Sequence, residues 1–187
     1  MRCAVEGIMY PINAKAVLSS ALSPVSGHHY DLPYIEIPHK AWSLCMDDLD
    51  SRLLPLSGDC FPFVFVLAPL HKGPVTFEGP CPVYAPEDGS LSGSDWSITL
   101  ECPDAVRSMV SFSDDICSEE SSLEIIAPYL SLLFPQARTC YLLSSGDSPE
   151  ILEIVKILRK DFPSSLILLS NNRDTDYAHA WKEALDR

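Results

Sequence analysis

The chain has no basic stripe: 13 Lys and Arg stand against 26 Asp and Glu, for a net charge of -13. Binding to a phosphate backbone is driven by Lys and Arg displacing condensed counterions, so nucleic acid and anionic membrane surfaces are poor partners. Glycine is also scarce, with 8 in 187 residues and none arranged in a phosphate-cradling loop, which argues against nucleotide-dependent chemistry. The seven cysteines (Cys3, Cys45, Cys60, Cys81, Cys102, Cys117, Cys140) form no C-x-x-C pair of the kind that binds zinc or works as a redox dithiol. They read as reduced, mostly packed thiols. No run reaches the roughly 18 apolar residues of a membrane-spanning helix. The opening MRCAVEGIMYP meets Pro11 before a signal-peptide core can form, and Cys3 lacks the apolar run of a lipid anchor. The expectation is a soluble, cytoplasmic protein.

What is present is a chain able to bury a full core. With 47% hydrophobic and 21% charged residues, positions 1–187 read as a single domain. Asn13 offers a cap for a short helix carrying Ala14, Val17, Leu18 and Ala21, which Pro24 ends, and a polar loop with His28 and His29 follows. Tyr34 to Ile37 reads as a strand. Trp42, Cys45, Leu49 and Leu53 then fall at helical spacing, with Asp47, Asp48 and Asp50 directed elsewhere. Phe63 to Leu67 has no polar position, as expected of a strand covered on both faces.

From about 73 to 103 the chain is rich in proline and glycine, with β-prone pieces at Val75–Phe77, Cys81–Tyr84 and Trp96–Leu100; this reads as an excursion of hairpins. Ser118 reads as the cap of a helix with Glu119 and Glu120 in its first turn, an apolar stripe of Leu123, Ile126, Leu130 and Leu133, and an internal Pro128 expected to kink it. Thr139–Leu143 and Ser165–Leu169 read as strands, separated by a helix that Ser148 caps and Pro149 starts. Strands alternating with amphipathic helices predict an α/β fold: a mostly parallel sheet flanked by helices, with the small hairpin excursion.

In such a sheet, ligands bind outside the carboxyl ends of the strands. Two predicted strands run into Pro38-His39 and Pro69-Leu70-His71-Lys72, and Asp176-Tyr177-Ala178-His179 follows a third. His39, His71 and His179 could therefore share a rim. Two or three imidazoles with a carboxylate from Glu120 or Asp176 would suit a divalent metal such as iron, copper or zinc. A strand-end histidine is also an ordinary loop residue, and placement alone does not separate the two readings. Ser144-Ser145-Gly146-Asp147-Ser148 lacks the G-x-S-x-G pattern of a serine nucleophile.

The order of these segments resembles the Memo family, whose bacterial members include the AmmeMemoRadiSam system protein B group. Gly7-Ile8-Met9-Tyr10-Pro11 is similar to the family's G-x-W-Y-P, Pro38-His39-Lys40-Ala41-Trp42 to P-H-A-G-Y, and Leu67-Ala68-Pro69-Leu70-His71-Lys72 to L-G-P-S-H-H. Glu119-Glu120-Ser121-Ser122-Leu123-Glu124, with Pro128-Tyr129-Leu130 beyond it, is similar to E-E-H-S-L-E and its L-P-F-L continuation. The resemblance implies a fold like that of class III extradiol dioxygenases (LigB-like proteins), with a strand-end pocket that can hold a metal. It places His39, His71, Lys72, Glu120 and Ser121 at that cleft.

Three of the family's metal-site or cleft positions are changed: Lys72 stands where the second histidine of H-H is expected, Ser121 replaces the histidine of E-E-H-S-L-E, and Ala178 falls at a cysteine or serine position. A protonated lysine and an alanine offer no lone pair to a metal. The chain is also shorter than typical members. Two functions follow as expectations. The first is a divergent, non-catalytic Memo-like protein that binds a protein partner or a small molecule and holds no metal. The second is a metal-dependent, dioxygenase-like redox enzyme using His39, His71 and His179. A hydrolase built on Asp176 and His179 is a more distant alternative.

Overall fold

The computed structural model describes residues 34–38, 42–70, 82–144, 148–171 and 179–187, with side chains in the first helix from 46 onward. The expected helix after Asn13, His28-His29, the strand at Val75–Phe77 and the Ser145–Asp147 turn lie outside these residues. Among them are eight strands, β1 (Ile35–Pro38), β2 (Phe63–Pro69), β3 (Val83–Ala85), β4 (Gly89–Ser92), β5 (Ser97–Leu100), β6 (Val110–Phe112), β7 (Arg138–Ser144) and β8 (Leu166–Asn171). The helices are α1 (Trp42–Leu53), α2 (Asp104–Arg107), α3 (Asp114–Ser118), α4 (Ser122–Leu133), α5 (Pro149–Asp161) and α6 (His179–Asp186).

All eight strands form one mixed sheet. Its main path runs β1-β8-β2-β7-β3-β6, with parallel pairing from β1 through β7 and between β3 and β6, and antiparallel pairing of β3 with β7. β2 lies in the middle with every residue buried, as its unbroken apolar run requires. The excursion is not separate from this sheet. β5 pairs in parallel with the start of β7 and β4 pairs antiparallel with β5, so the hairpin widens the sheet beyond β7.

Strand alternation sends successive side chains to opposite faces. Val64, Val66, Ala68, Tyr141, Leu143 and Leu168 meet α1, α4 and the β4–β5 hairpin through Leu49, Leu53, Ile126, Leu130, Leu91 and Ile98. Phe65, Leu67, Cys140, Leu142, Ile167 and Leu169 meet α2, α5 and α6 through Val106, Ile151, Ile154, Leu158, Trp181 and Leu185. The result is a three-layer α/β/α arrangement.

Two helix starts differ from expectation. Ser118 ends α3, its hydroxyl donating back to the Asp115 carbonyl, while Ser113 caps that helix by accepting from the Ile116 amide at 3.3 Å. α4 begins only at Ser122 and runs through Pro128. Ser148 is the N-cap of α5 ahead of Pro149, but its hydroxyl bonds the Glu150 carboxylate and not a backbone amide. Among the described residues no helix is long and apolar enough to cross a membrane.

Candidate strand-end site

Parallel pairing brings four carboxyl ends to one edge of the sheet. Pro38 at the end of β1 lies against Asn171 at the end of β8, Leu67 pairs with Leu169, and Pro69 at the end of β2 lies against Ser144 at the end of β7. The chain continues the pairing for one residue past β2, with the Leu70 amide donating to the Ser144 carbonyl at 2.9 Å. This rim is polar despite its burial. Ser144, Ser170 and Asn171 are all buried, at the one place in a parallel sheet where small polar side chains can meet groups from the loops above.

A helix that precedes a parallel strand runs antiparallel to it, so the amino end of α4 lies at the same edge as the carboxyl end of β7. There Glu120, Ser122 and Glu124 are buried and Ser121 is half-buried. Glu120 departs from the expectation of a solvated residue in a helix's first turn. It sits in the link between α3 and α4, only 3% exposed, while Glu119 beside it is open to solvent. Its charge reaches two buried acids. Burial pushes the Cys117 thiol up to about 12, with Asp114 and Glu120 adding to the effect. Burial likewise raises the Tyr141 phenol well above its usual range, opposed by Ser122 and reinforced by Glu120. Both groups are therefore neutral at physiological pH.

Tyr141 was not singled out in the sequence. Its only signal there is a phenol inside a predicted buried strand, where a hydroxyl needs polar company. Glu120, Ser122 and Tyr141 are thus a buried polar group of a carboxylate, a hydroxyl and a neutral phenol near the amino end of α4.

Further along, α4 is tied to α1 by the Tyr129 hydroxyl, which donates to the Asp50 carboxylate. On the other face, Trp181 of α6 donates its indole N–H to the Ala68 carbonyl at 3.3 Å, fastening that helix under the end of β2.

The histidines fare unequally. His39 follows Pro38 directly and His71-Lys72 follow Leu70, but all three lie outside the described residues, as do Asp176 and Ala178. His179 is described, and it stands in a helix and not in a loop. It opens α6, is exposed, and its Nε2 lies 3.1 Å from Glu183 Oε1 one turn along the same helix. The reason is local: Trp181, Ala184 and Leu185 recur at helical spacing and bury against the sheet. Among the described residues, no three His, Cys, Asp or Glu side chains are grouped to hold a metal ion.

A groove of about 580 Å³ opens at the opposite, amino edge of the strands between Phe61, Cys60, Arg159, Phe162 and Ser165. It is distinct from the expected cleft, since it lies before β2 and β8 and not after them. Comparison of the chain with models of protein families gives no match. A search of the curated proteins gives none either.

Proposed function

We propose that the chain is a divergent Memo-like protein of LigB-like fold that binds a small ligand or a protein partner at the strand-end cleft without catalysing a reaction there. What supports this reading is the meeting of four strand ends on one edge, with the buried polar residues Glu120 and Ser122 at the amino end of α4. Of the segments that resemble family motifs, the described parts lie near this edge: Pro38 and Pro69 end strands, and Glu120 to Glu124 span the start of α4. Lys72, Ser121 and Ala178 then replace groups that would ligate or transfer protons in the family, which favours binding over chemistry. The free thiols of Cys60, Cys102, Cys117 and Cys140 support a cytoplasmic location.

The test combines metal content with ligand response. Untagged protein should carry far less than one equivalent of iron, copper or zinc, and His39→Ala should leave that content unchanged. A panel of small metabolites screened by thermal shift should yield hits whose effect is lost in Lys72→Ala and in Glu120→Gln. One equivalent of metal in the wild type, lost in His39→Ala, would replace this reading with the dioxygenase-like enzyme. Hits that survive both cleft substitutions would move binding elsewhere, the amino-edge groove included.

A further inference from the structure

The amino-edge groove lies where Tyr34 enters β1, Phe61 leads into β2, Ser165 leads into β8 and Phe162 caps the end of α5. Its volume of about 580 Å³ falls within the roughly 300–1,000 Å³ of small-molecule sites. The aromatic walls are packed from behind. Phe162 meets Phe63 and Phe65 edge-on at ring-centroid distances of 5.4 and 5.2 Å, and Phe61 meets Phe134 at 5.2 Å. Phe61 and Phe162 are both only half-buried, so each keeps apolar surface uncovered where it lines the groove.

Two opposite charges line this apolar space. Asp59 follows a turn at Gly58, whose φ of 101° suits glycine, and the Asp59 amide donates to the Leu56 carbonyl at 3.0 Å. Arg159 is held by a bond from its guanidinium to the Leu185 carbonyl, which leaves its other N–H donors for a ligand. Both side chains line the groove, yet among the described residues neither forms an ion pair, with the other or with a third group. Tyr34 adds no charge, because burial and the bond its hydroxyl donates to Asp186 push the phenol up to about 12. Ser165 adds a buried hydroxyl with no hydrogen-bond partner, which native interiors seldom leave unrelieved.

We infer that this groove is a binding site, separate from the strand-end cleft, for a small zwitterion with an apolar body: the chemistry of a free apolar amino acid or of a short apolar peptide with unblocked ends. Asp59 takes the ammonium, Arg159 takes the carboxylate through its remaining donors, and Phe61 and Phe162 cover the apolar part. A simple anion would meet a like charge at Asp59, and a simple cation would meet one at Arg159. A wholly apolar ligand would strip water from both charges and return no hydrogen bond. Only a ligand that carries both signs satisfies the two walls together.

Cys60 reports on occupancy, since its exposed free thiol lines the same groove. The full-length reduced protein is treated with iodoacetamide under native conditions, and the labelling rate of the Cys60 peptide is followed by mass spectrometry with L-phenylalanine or phenylalanyl-leucine present. Both probes should slow labelling in a saturable way, and the one that protects at lower concentration distinguishes an amino-acid site from a peptide site. Acetylating the amino end or amidating the carboxyl end should each weaken protection roughly three- to tenfold, as expected for one charge-assisted hydrogen bond in a partly exposed setting. Asp59→Asn should abolish the penalty of acetylation and keep that of amidation, and Arg159→Gln should do the reverse. Unchanged Cys60 labelling at saturating concentrations of both probes would overturn the inference. So would equal protection by a probe blocked at both ends. The blocked probes on the wild type and Asp59→Asn stand as tests even if losing the Arg159 bond to Leu185 unfolds that variant.

Discussion

Removing the Tyr129 hydroxyl tests whether α1 and α4 are fastened to each other as the structure shows. Tyr129 is wholly buried, and its O–H donates to Asp50 on the neighbouring helix. Tyr129→Phe keeps the ring and its packing, so the change isolates the hydrogen bond. A bond to an ionised acceptor contributes about 1.5–3 kcal/mol. Asp50 is half-buried, so water can reach the carboxylate after the phenol is lost, which puts the expected cost near the lower end. For a protein of this size each kcal/mol moves the thermal midpoint by roughly 2–4 °C. Tyr129→Phe should therefore lower the midpoint by about 3–6 °C, the lower-end loss of ~1.5 kcal/mol carried through that scaling. Urea unfolding followed by tryptophan fluorescence gives the free energy directly, with an unchanged denaturant slope showing that the native state is intact. Asp50→Asn weakens the same bond from the other side, so Tyr129→Phe in that background should cost clearly less than in the wild type. Equal costs in the two backgrounds, or a loss under about 0.5 kcal/mol, would refute the proposed tie.

Stability should fall in alkali through Cys117. Its thiol is raised from 9.0 to about 12 in the fold, so above pH 9 the unfolded chain sheds a proton that the native chain retains. The contribution is intact below the unfolded pKa and is lost as pH rises toward the folded one, at up to about 1.4 kcal/mol per pH unit. Urea midpoints from pH 8 to 10.5 should drop less steeply in Cys117→Ala than in the wild type, and parallel slopes would contradict this assignment. Trp181→Phe removes the N–H that reaches the Ala68 carbonyl and part of a buried side chain, and should cost about 1–3 kcal/mol in the same assay. Hydrogen exchange should locate the loosening at the end of β2, and uniform loosening across the sheet would count against the contact.

Some of this molecule can be read directly from its residues. Phe63 to Leu67 could only be a strand with both faces covered, and Pro149 behind Ser148 could only start a helix. The same strand ends located the rim. Other features depend on packing at a distance. Ser113-Asp114-Asp115 and Ser118-Glu119-Glu120 carry the same local signal of a cap followed by two acids, yet only the first starts a helix. The second is overridden because Cys117 and Glu120 are drawn into the interior. β4 has only Leu91 buried, too little patterning to show that its hairpin joins the main sheet. The helix from His179 was legible in the spacing of Trp181, Ala184 and Leu185. Buried Tyr141 could not have been linked to Glu120 in advance, because that pairing exists only once α4 lies across β7.

The placement of β2 has a consequence for how the chain is made. Its two flanking strands, β7 and β8, both come later in the sequence, and β1 pairs with β8. During synthesis the two earliest of the described strands must wait, with open hydrogen-bonding edges, until β8 has left the ribosome. Fragments released before β8 would expose that sticky central strand, so incomplete copies of this protein should clump and need chaperone protection.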